Sequence, residues 1–205
     1  IAYDIQRHYC ANWQGTPAKA QLAASSKVNA IKFYDYFTQA GKIAAAVLIS
    51  PPDTREGHDD IYDEVRDQVQ QFWKKMMEIY GSEAEYNKQI ISSFKSTGGI
   101  ELIIVVDKLL TGFDAPNNTI LYIHKSMKEH SLLQAIARVN RPFPGKDFGF
   151  IIDYRGILAN LDQALTTYSA LADFDAADLE GALVTIMAEI DQLPQRHAEV
   201  WEIFK

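Results

Sequence analysis

The sequence of 205 residues is 47% hydrophobic and 23% charged, which is typical of a globular domain with a sizeable core and excludes an intrinsically disordered segment. Its single cysteine, Cys10, excludes an internal disulfide and favours a reducing compartment. The formal net charge of −7 argues against a protein that coats nucleic acid, although it allows a local DNA track.

The first quarter of the sequence alternates between helix and strand patterns. Ile1, Ile5 and Tyr9 recur at helical spacing, and Gly41 is placed to end a second helix. The predicted elements are a helix over 1–12, a strand over 19–24, a helix over 27–39 and a strand over 43–50. A strand, helix and strand in this order predict a right-handed βαβ unit and therefore a parallel sheet.

Two serines lie where the predicted strand at 19–24 turns into the next helix. Ser25 and Ser26 are placed to cap free backbone N–H groups at the helix start, which is the usual role of serine there. The same hydroxyl and N–H groups also form a seat for a phosphate. The residues alone leave both interpretations open.

Helical patterns dominate the next stretch. A polar loop over 53–60 precedes a long amphipathic helix over 61–80, and another helix is predicted over 83–95. The aromatic stripe of the long helix indicates packing into the core, with a groove for a protein partner as the alternative. No histidine stands at ligand spacing from the His-Asp-Asp run at 58–60, so no metal site is predicted.

Two β-rich runs frame a turn-rich segment in the middle of the chain. The apolar run within 101–106 indicates a buried strand that ends at Asp107. Leu-Leu-Thr-Gly-Phe-Asp-Ala-Pro follows at 109–116, and a second strand is predicted over 119–123. A helix then begins near Glu129.

That helix is predicted to carry Gln134, Arg138 and Arg141 on one face at its C-terminal end, because they follow at spacings of four and three before Pro142. Guanidinium groups match phosphate oxygens and keep their charge at every working pH, so this row predicts a phosphate site. Two arginines near a helix C-terminus also favour the helix dipole, which is the alternative interpretation.

The chain closes with one more strand over 148–153 and a helical pattern over 157–205. Because the first residue is Ile1 and not methionine, we expect a piece of a longer polypeptide. No apolar run approaches the length of a membrane span, and no signal-peptide pattern occurs, so no membrane partner is predicted.

The order of these motifs resembles the second RecA-like lobe of superfamily 2 helicases and translocases. Gly-Phe-Asp at 112–114 is similar to motif V of that family, and 134–141 is similar to motif VI, usually written Q-x-x-G-R-x-x-R. Within the superfamily, three stretches look most like the motor (R) subunit of type I restriction enzymes: 109–116, 134–142 and 151–156.

This resemblance implies an α/β fold, a RecA-like parallel sheet flanked by helices that lacks the P-loop and is followed by an α-helical extension. It implies three parts: a linker helix from a preceding lobe over 1–17, the second helicase lobe over 18–156, and the start of a C-terminal helical region over 157–205. In the resembled family that last region docks the motor onto the methyltransferase core.

On the nucleotide side, the resemblance implies that Arg138 and Arg141 are arginine fingers, which stabilise charge on the phosphoryl group during transfer. Gln134 would orient between the nucleotide and the arginines. Gly112 would allow close backbone approach, and Asp114 would couple the ribose or motif VI to the DNA side.

On the DNA side, the resemblance implies that Ser25, Ser26, Thr111 and Lys108 face backbone phosphates, contacts that carry no sequence information. Two departures bear on these assignments. Motif VI has Ala137 where many members have glycine. Motif V has Val106 in place of the threonine that D-E-A-D helicases set before the aspartate, so the DNA contact of motif V is less well supported than its nucleotide role.

The cofactors implied are ATP and Mg2+, bound mainly by a first lobe, since the sequence has neither a G-x-x-x-x-G-K-[S/T] cradle nor a D-E-x-x box after a strand. We therefore expect the chain alone to be inactive. The implied partners are double-stranded DNA, the preceding lobe and nuclease domain of the same polypeptide, and the methyltransferase (M) and specificity (S) subunits, in a bacterial or archaeal cytoplasm.

Three other interpretations remain. One is another superfamily 2 protein, such as an excision-repair helicase subunit, which shares the motif V pattern. A second is a non-catalytic module whose helical C-terminal part docks on a protein partner. The third, an α/β enzyme acting on a small molecule, lacks a Gly-rich turn or a nucleophile elbow. A P-loop and a D-E-x-x box upstream in the same polypeptide would favour the motor.

Overall fold

A computed structural model describes residues 1–52, 63–106, 108, 114–127 and 129–158. The helices are α1 Ala2–Asn12, α2 Lys27–Ala40, α3 Asp63–Tyr80, α4 Glu83–Lys95 and α5 Glu129–Val139. The strands are β1 Lys19–Ala24, β2 Ala45–Leu48, β3 Leu102–Val105, β4 Asn118–His124 and β5 Phe150–Asp153. Within the described ranges, none of the helices is long and apolar enough to cross a bilayer.

The five strands form one sheet in the order β2-β3-β1-β4-β5, and every neighbouring pair is parallel. The central strand β1 is buried along its whole length, and Leu22 lies between Ile104 of β3 and Tyr122 of β4. The predicted parallel sheet is therefore confirmed. Because the strands run the same way, the sheet has an amino edge, where all strands begin, and a carboxyl edge, where all strands end.

Helix α1 packs into the same core as the sheet. Ile5 and Tyr9 are buried, whereas Ile1, which the spacing also assigned to the apolar face, is half exposed at the helix start. His8 Nδ1 forms a hydrogen bond with the Tyr122 hydroxyl at 2.8 Å, and the Tyr154 hydroxyl donates to Asp4 at 2.6 Å. The role of residues 1–17 as a connection from a preceding lobe stays a prediction.

The aromatic stripe of α3 packs into the core, as the sequence pattern indicated. Val69, Phe72 and Met76 are buried, and the Phe72 ring lies edge-on to Tyr34 of α2 with centroids 5.9 Å apart. Helix α4 packs against β2, the outermost strand of the sheet, where the Tyr86 hydroxyl donates to the Val47 carbonyl. A backbone acceptor of the edge strand is thereby satisfied.

Helix α5 packs on one face of β4, and Ile151 of β5 packs against the cluster that these two elements form. Leu121 and Ile123 point to a cluster formed with the apolar face of α5, whereas Ile120 and Tyr122 point to the main core on the opposite face. This alternation is what a strand buried on both faces requires. Helix α5 starts near the carboxyl edge and carries the chain back to the amino edge, where β5 begins.

Candidate functional site

The C-terminal end of α5 differs from the sequence prediction. The helix ends at Val139, so Gln134 and Arg138 lie on the helix but Arg141 lies in the turn beyond it. The predicted single row of three side chains on one helix is therefore wrong for Arg141. The cause is Pro142, because a residue before proline is pushed out of the helical conformation.

Arg141 nevertheless reaches the other predicted motif. Its Nη1 donates to an Asp114 carboxylate oxygen, which joins the segment before β4 to the segment after α5. The two side chains remain 42% and 67% exposed. An ion pair this exposed is open to exchange with a bound anion.

Arg138 lies beside this pair. Burial lowers the pKa of the Arg138 guanidinium from its usual value, the positive charge of Arg141 lowers it further, and Asp114 acts in the opposite direction. Arginine keeps its proton in proteins even so. The Arg138 and Arg141 guanidinium groups thus lie near the Asp114 carboxylate, and Gln134 lies one turn earlier on α5, partly buried. Planar guanidinium donors of this kind suit a phosphate.

The predicted DNA-facing serines lie at the carboxyl edge, after β1. Ser26 caps α2, its hydroxyl oxygen accepting from the Asn29 backbone N–H at 3.2 Å. The Ser25 hydroxyl oxygen accepts from Asn29 Nδ2 at 2.8 Å. The capping interpretation is confirmed for Ser26. Both bonds use the oxygen lone pairs and not the hydroxyl protons, which are the groups that would donate to a phosphate.

Lys108 follows β3 at the same edge. Its Nζ donates to a Glu83 carboxylate at 2.8 Å and to Asn87 Oδ1 at 3.3 Å, which ties it to the start of α4. A contact with DNA would require this pair to open, and that contact stays a prediction. Thr111 and Gly112 lie outside the described residues, and so do the predicted loop at 53–60, Asp107 and the helical region beyond Leu158.

Lys146 is a further residue of interest, which no sequence motif singles out. Its Nζ donates to the carbonyls of Pro116 and Asn118, each at 2.9 Å. These carbonyls belong to the segment that follows Asp114. A lysine among proline and glycine residues carries no signal of such a contact, because its partners are backbone atoms 28 and 30 positions away.

One protein family matches most of the chain. The model for type I restriction enzyme subunit R domain 3 matches residues 16–156. The chain belongs to this family. The match includes every strand of the sheet, both arginines of the candidate site and the Lys146 loop.

Relatives of this domain 3 chain carry matching names. A Methanocaldococcus jannaschii protein assigned as the MjaIXP type I restriction endonuclease subunit is 31% identical over 206 residues, which cover 100% of this chain and 18% of that protein. The HindI type I restriction endonuclease subunit of Haemophilus influenzae is 29% identical over 185 residues, 82% of this chain and 16% of that protein. The domain 3 chain thus spans less than a fifth of the length of these relatives.

A solved structure supports the fold. The C-terminal domain of the DEAD-box protein Dbp5 superposes with a TM-score of 0.50 and 14% identity, covering 85% of this chain and 79% of that one. The domain 3 chain therefore has the architecture of a RecA-like helicase C-terminal lobe, as its motifs predicted. No group of three His, Cys, Asp or Glu side chains close enough to hold a metal ion occurs among the described residues.

Proposed function

We propose that this domain is the second motor lobe of an ATP-dependent DNA translocase in a type I restriction-modification system. The observation that carries the proposal is the Arg141–Asp114 pair beside Arg138, in which the two motor motifs meet at one edge of the sheet. Full-length relatives named as endonuclease subunits support the restriction context.

In this proposal Arg138 and Arg141 act on the triphosphate of ATP. Phosphoryl transfer spreads negative charge over the transferring group, and fixed guanidinium groups stabilise that charge with little reorganisation. Asp114 holds Arg141 between cycles and gives it up when negative charge develops on the transferring phosphoryl group. Gln134 and Gly112 complete the nucleotide side as the motif assignments predict.

The residues of this site suit the phosphates of ATP better than they suit Mg2+. Two guanidinium groups lie at this site, and the Asp114 carboxylate beside them is engaged by Arg141. Mg2+ needs oxygen ligands, commonly carboxylates together with the phosphates themselves. We therefore propose that a preceding lobe of the same polypeptide supplies the P-loop and the Mg2+ carboxylate, and that this domain supplies the arginines of a composite site.

The DNA track is proposed for the opposite, carboxyl edge. Ser25, Ser26 and Lys108 would contact backbone phosphates there, and Thr111 is assigned the same role by its motif alone. Such contacts let a translocase move without reading sequence. A nuclease domain in the same polypeptide would cut the DNA, and the region over 157–205 would dock on the M and S subunits. With nucleotide and DNA on different edges, a shift of this lobe during ATP turnover would move the DNA contacts.

The test compares Arg141→Ala with the wild type in the full-length polypeptide, by DNA-stimulated ATPase with ATP binding measured in parallel. We expect turnover to fall by about 10³-fold or more while ATP binding persists, as for loss of an arginine finger. Arg7→Ala is the matched control, because it removes the guanidinium of another exposed Arg–Asp pair, at Asp4 on α1. Unchanged turnover in Arg141→Ala would reject the motor and favour a non-catalytic docking module.

A further inference from the structure

The loop between α5 and β5 is closed by several short contacts. Phe143 and Lys146 form an isolated antiparallel bridge, with the Lys146 N–H donating to the Phe143 carbonyl at 2.9 Å. At the loop ends, the Gly149 N–H donates to Asn140 Oδ1 at 3.1 Å. Arg141 thus sits at the start of a closed loop whose far side carries Lys146.

The segment that carries Asp114 is also closed. The Asn118 N–H donates to the Ala115 carbonyl at 2.9 Å, which forms a turn just before β4. Asn117 ties this turn to the last residues of α4, since its Nδ2 donates to the carbonyls of Phe94 and Lys95 at 3.4 and 3.3 Å. One side of the turn is therefore fixed to the body of the domain.

Two cross-links join this turn to the loop. The first is the Arg141–Asp114 ion pair, and the second is the pair of bonds from Lys146 Nζ to the Pro116 and Asn118 carbonyls. In the proposed function the first cross-link opens when Arg141 turns to a phosphate. The second cross-link involves only an ammonium and backbone carbonyls, so a bound phosphate at Arg141 leaves it in place.

We infer that Lys146 is a positioning residue, which keeps the turn after Asp114 and the loop carrying Arg141 in register while Arg141 leaves Asp114 for the nucleotide. The inference rests on the proposed function for its catalytic consequence. An arginine that acts on a transition state must be held within a fraction of an ångström, which a loop alone does not ensure.

The energetics of Lys146 agree with a role of this kind. Burial lowers the pKa of its ammonium group to about 8, and among the described residues no carboxylate forms an ion pair with it. A partly buried cation whose only partners are carbonyls lowers the stability of the fold relative to an apolar residue that would fill the same space. Charge-assisted bonds to two carbonyls, however, are stronger and more directional than apolar packing.

The experiment uses Lys146→Met in the full-length polypeptide, with DNA-stimulated ATPase as the readout. We expect kcat to fall by about ten- to a hundred-fold with little change in the KM for ATP, the effect of a displaced catalytic group. Lys125→Met is the matched control, because Lys125 is also a partly buried lysine whose Nζ donates to a backbone carbonyl, that of Val106 at 2.9 Å, but at the opposite end of β4. Lys146→Gln, which keeps a polar donor, is the second variant should Lys146→Met fail to fold.

A double-mutant cycle separates positioning from general stability. If Lys146 acts through Arg141, adding Lys146→Met to Arg141→Ala produces no further loss of turnover. If Lys146→Met lowered turnover in the Arg141→Ala background by the same factor as in the wild-type background, the inference would be overturned. A rise in KM with kcat unchanged in the single variant would also overturn it, because Lys146 would then contact the nucleotide directly.

Hydrogen exchange gives a readout that does not depend on ATP turnover. Lys146→Met is expected to speed amide exchange in the peptide that contains residues 114–119, whereas Lys125→Met, which removes a lysine-to-carbonyl bond at the other end of β4, is expected to leave it unchanged. Unchanged exchange in Lys146→Met overturns the inference by itself. Unchanged turnover in Arg141→Ala, with faster exchange in Lys146→Met, would instead reject the proposed function and keep the structural link.

Discussion

At the scale of single residues, the contact between Arg141 and Asp114 contributes little to stability. Exposed ion pairs are worth about 0–1 kcal/mol, because water and salt screen them. Both side chains here are more than a third exposed. A pair that is weak in the folded state and easily opened is a poor structural brace, but it suits a guanidinium that must change partners during a reaction cycle.

Lys146 makes a testable contribution to the pH dependence of stability. Its pKa falls from 10.5 to about 8 in the folded protein because of burial. Below pH 8 both states are protonated and the folded state bears the full cost of the buried charge. Between about pH 8 and pH 10.5 the folded state releases the proton first, so stability rises with pH relative to a chain without this lysine.

The measurement is urea unfolding of the wild type and Lys146→Met at about pH 7 and about pH 9.5, on either side of the folded-state pKa. We expect the difference in free energy of unfolding, wild type minus variant, to be larger at the higher pH. Buried tyrosines such as Tyr86, whose pKa is raised by burial, contribute equally to both chains and cancel in the difference. A difference that stays constant or shrinks with pH would contradict the account.

At the scale of elements, the helices and strands could be predicted closely because each has a clear pattern. The run of apolar residues in β3, for example, gave its position to within a residue or two. The end of α5 was not predicted, since helical spacing continues through Arg141 and only the Pro142 effect ends it at Val139. The Lys146 contact was missed because backbone acceptors leave no mark in a sequence.

The junction of α5 and β5 makes a prediction about Gly149. A Cβ at this position would lie 2.3 Å from the Val139 carbonyl oxygen, a backbone atom that cannot move aside without moving the helix end. Gly149→Ala is expected to cost stability at the upper end of about 1–3 kcal/mol, as overpacking does. Thermal unfolding of the chain measures this loss of stability.

The control for that substitution lies in the same loop. Gly145 has φ +79, but a Cβ there meets no atom within 4 Å, so Gly145→Ala introduces only the strain of a left-handed backbone, about 1 kcal/mol. A Gly149→Ala variant that melts no lower than Gly145→Ala would show that the close approach of α5 to β5 is not needed.

At the scale of the whole molecule, the parallel sheet separates the residues proposed for DNA from those proposed for the nucleotide. Ser25 and Lys108 follow the neighbouring strands β1 and β3 at the carboxyl edge, while Arg141 and Asp114 meet at the amino edge. The strand order could not be predicted from strand patterns, because β3 and β4 both contain apolar runs and either could be the central strand. The candidate site was predicted through its motifs, which name the residues but not their contacts.

The domain is also a small part of its relatives, 18% of the Methanocaldococcus jannaschii protein and 16% of the Haemophilus influenzae one. An arginine pair that lacks a phosphate cradle gains its proposed role only when another lobe presents the nucleotide. In such an assembled site, Arg141 is proposed to bind the transition state and not the ground state.

The most direct test of that claim is to compare two ligands on the full-length polypeptide, a non-hydrolysable ATP analogue and ADP with aluminium fluoride, which imitates the transferring phosphoryl group. An interaction made only in the transition state strengthens binding of the second ligand alone. We predict that Arg141→Ala leaves the affinity for the ATP analogue unchanged and abolishes tight binding of ADP with aluminium fluoride. Equal affinities of wild type and variant for both ligands, or an equal loss for both, would contradict the account.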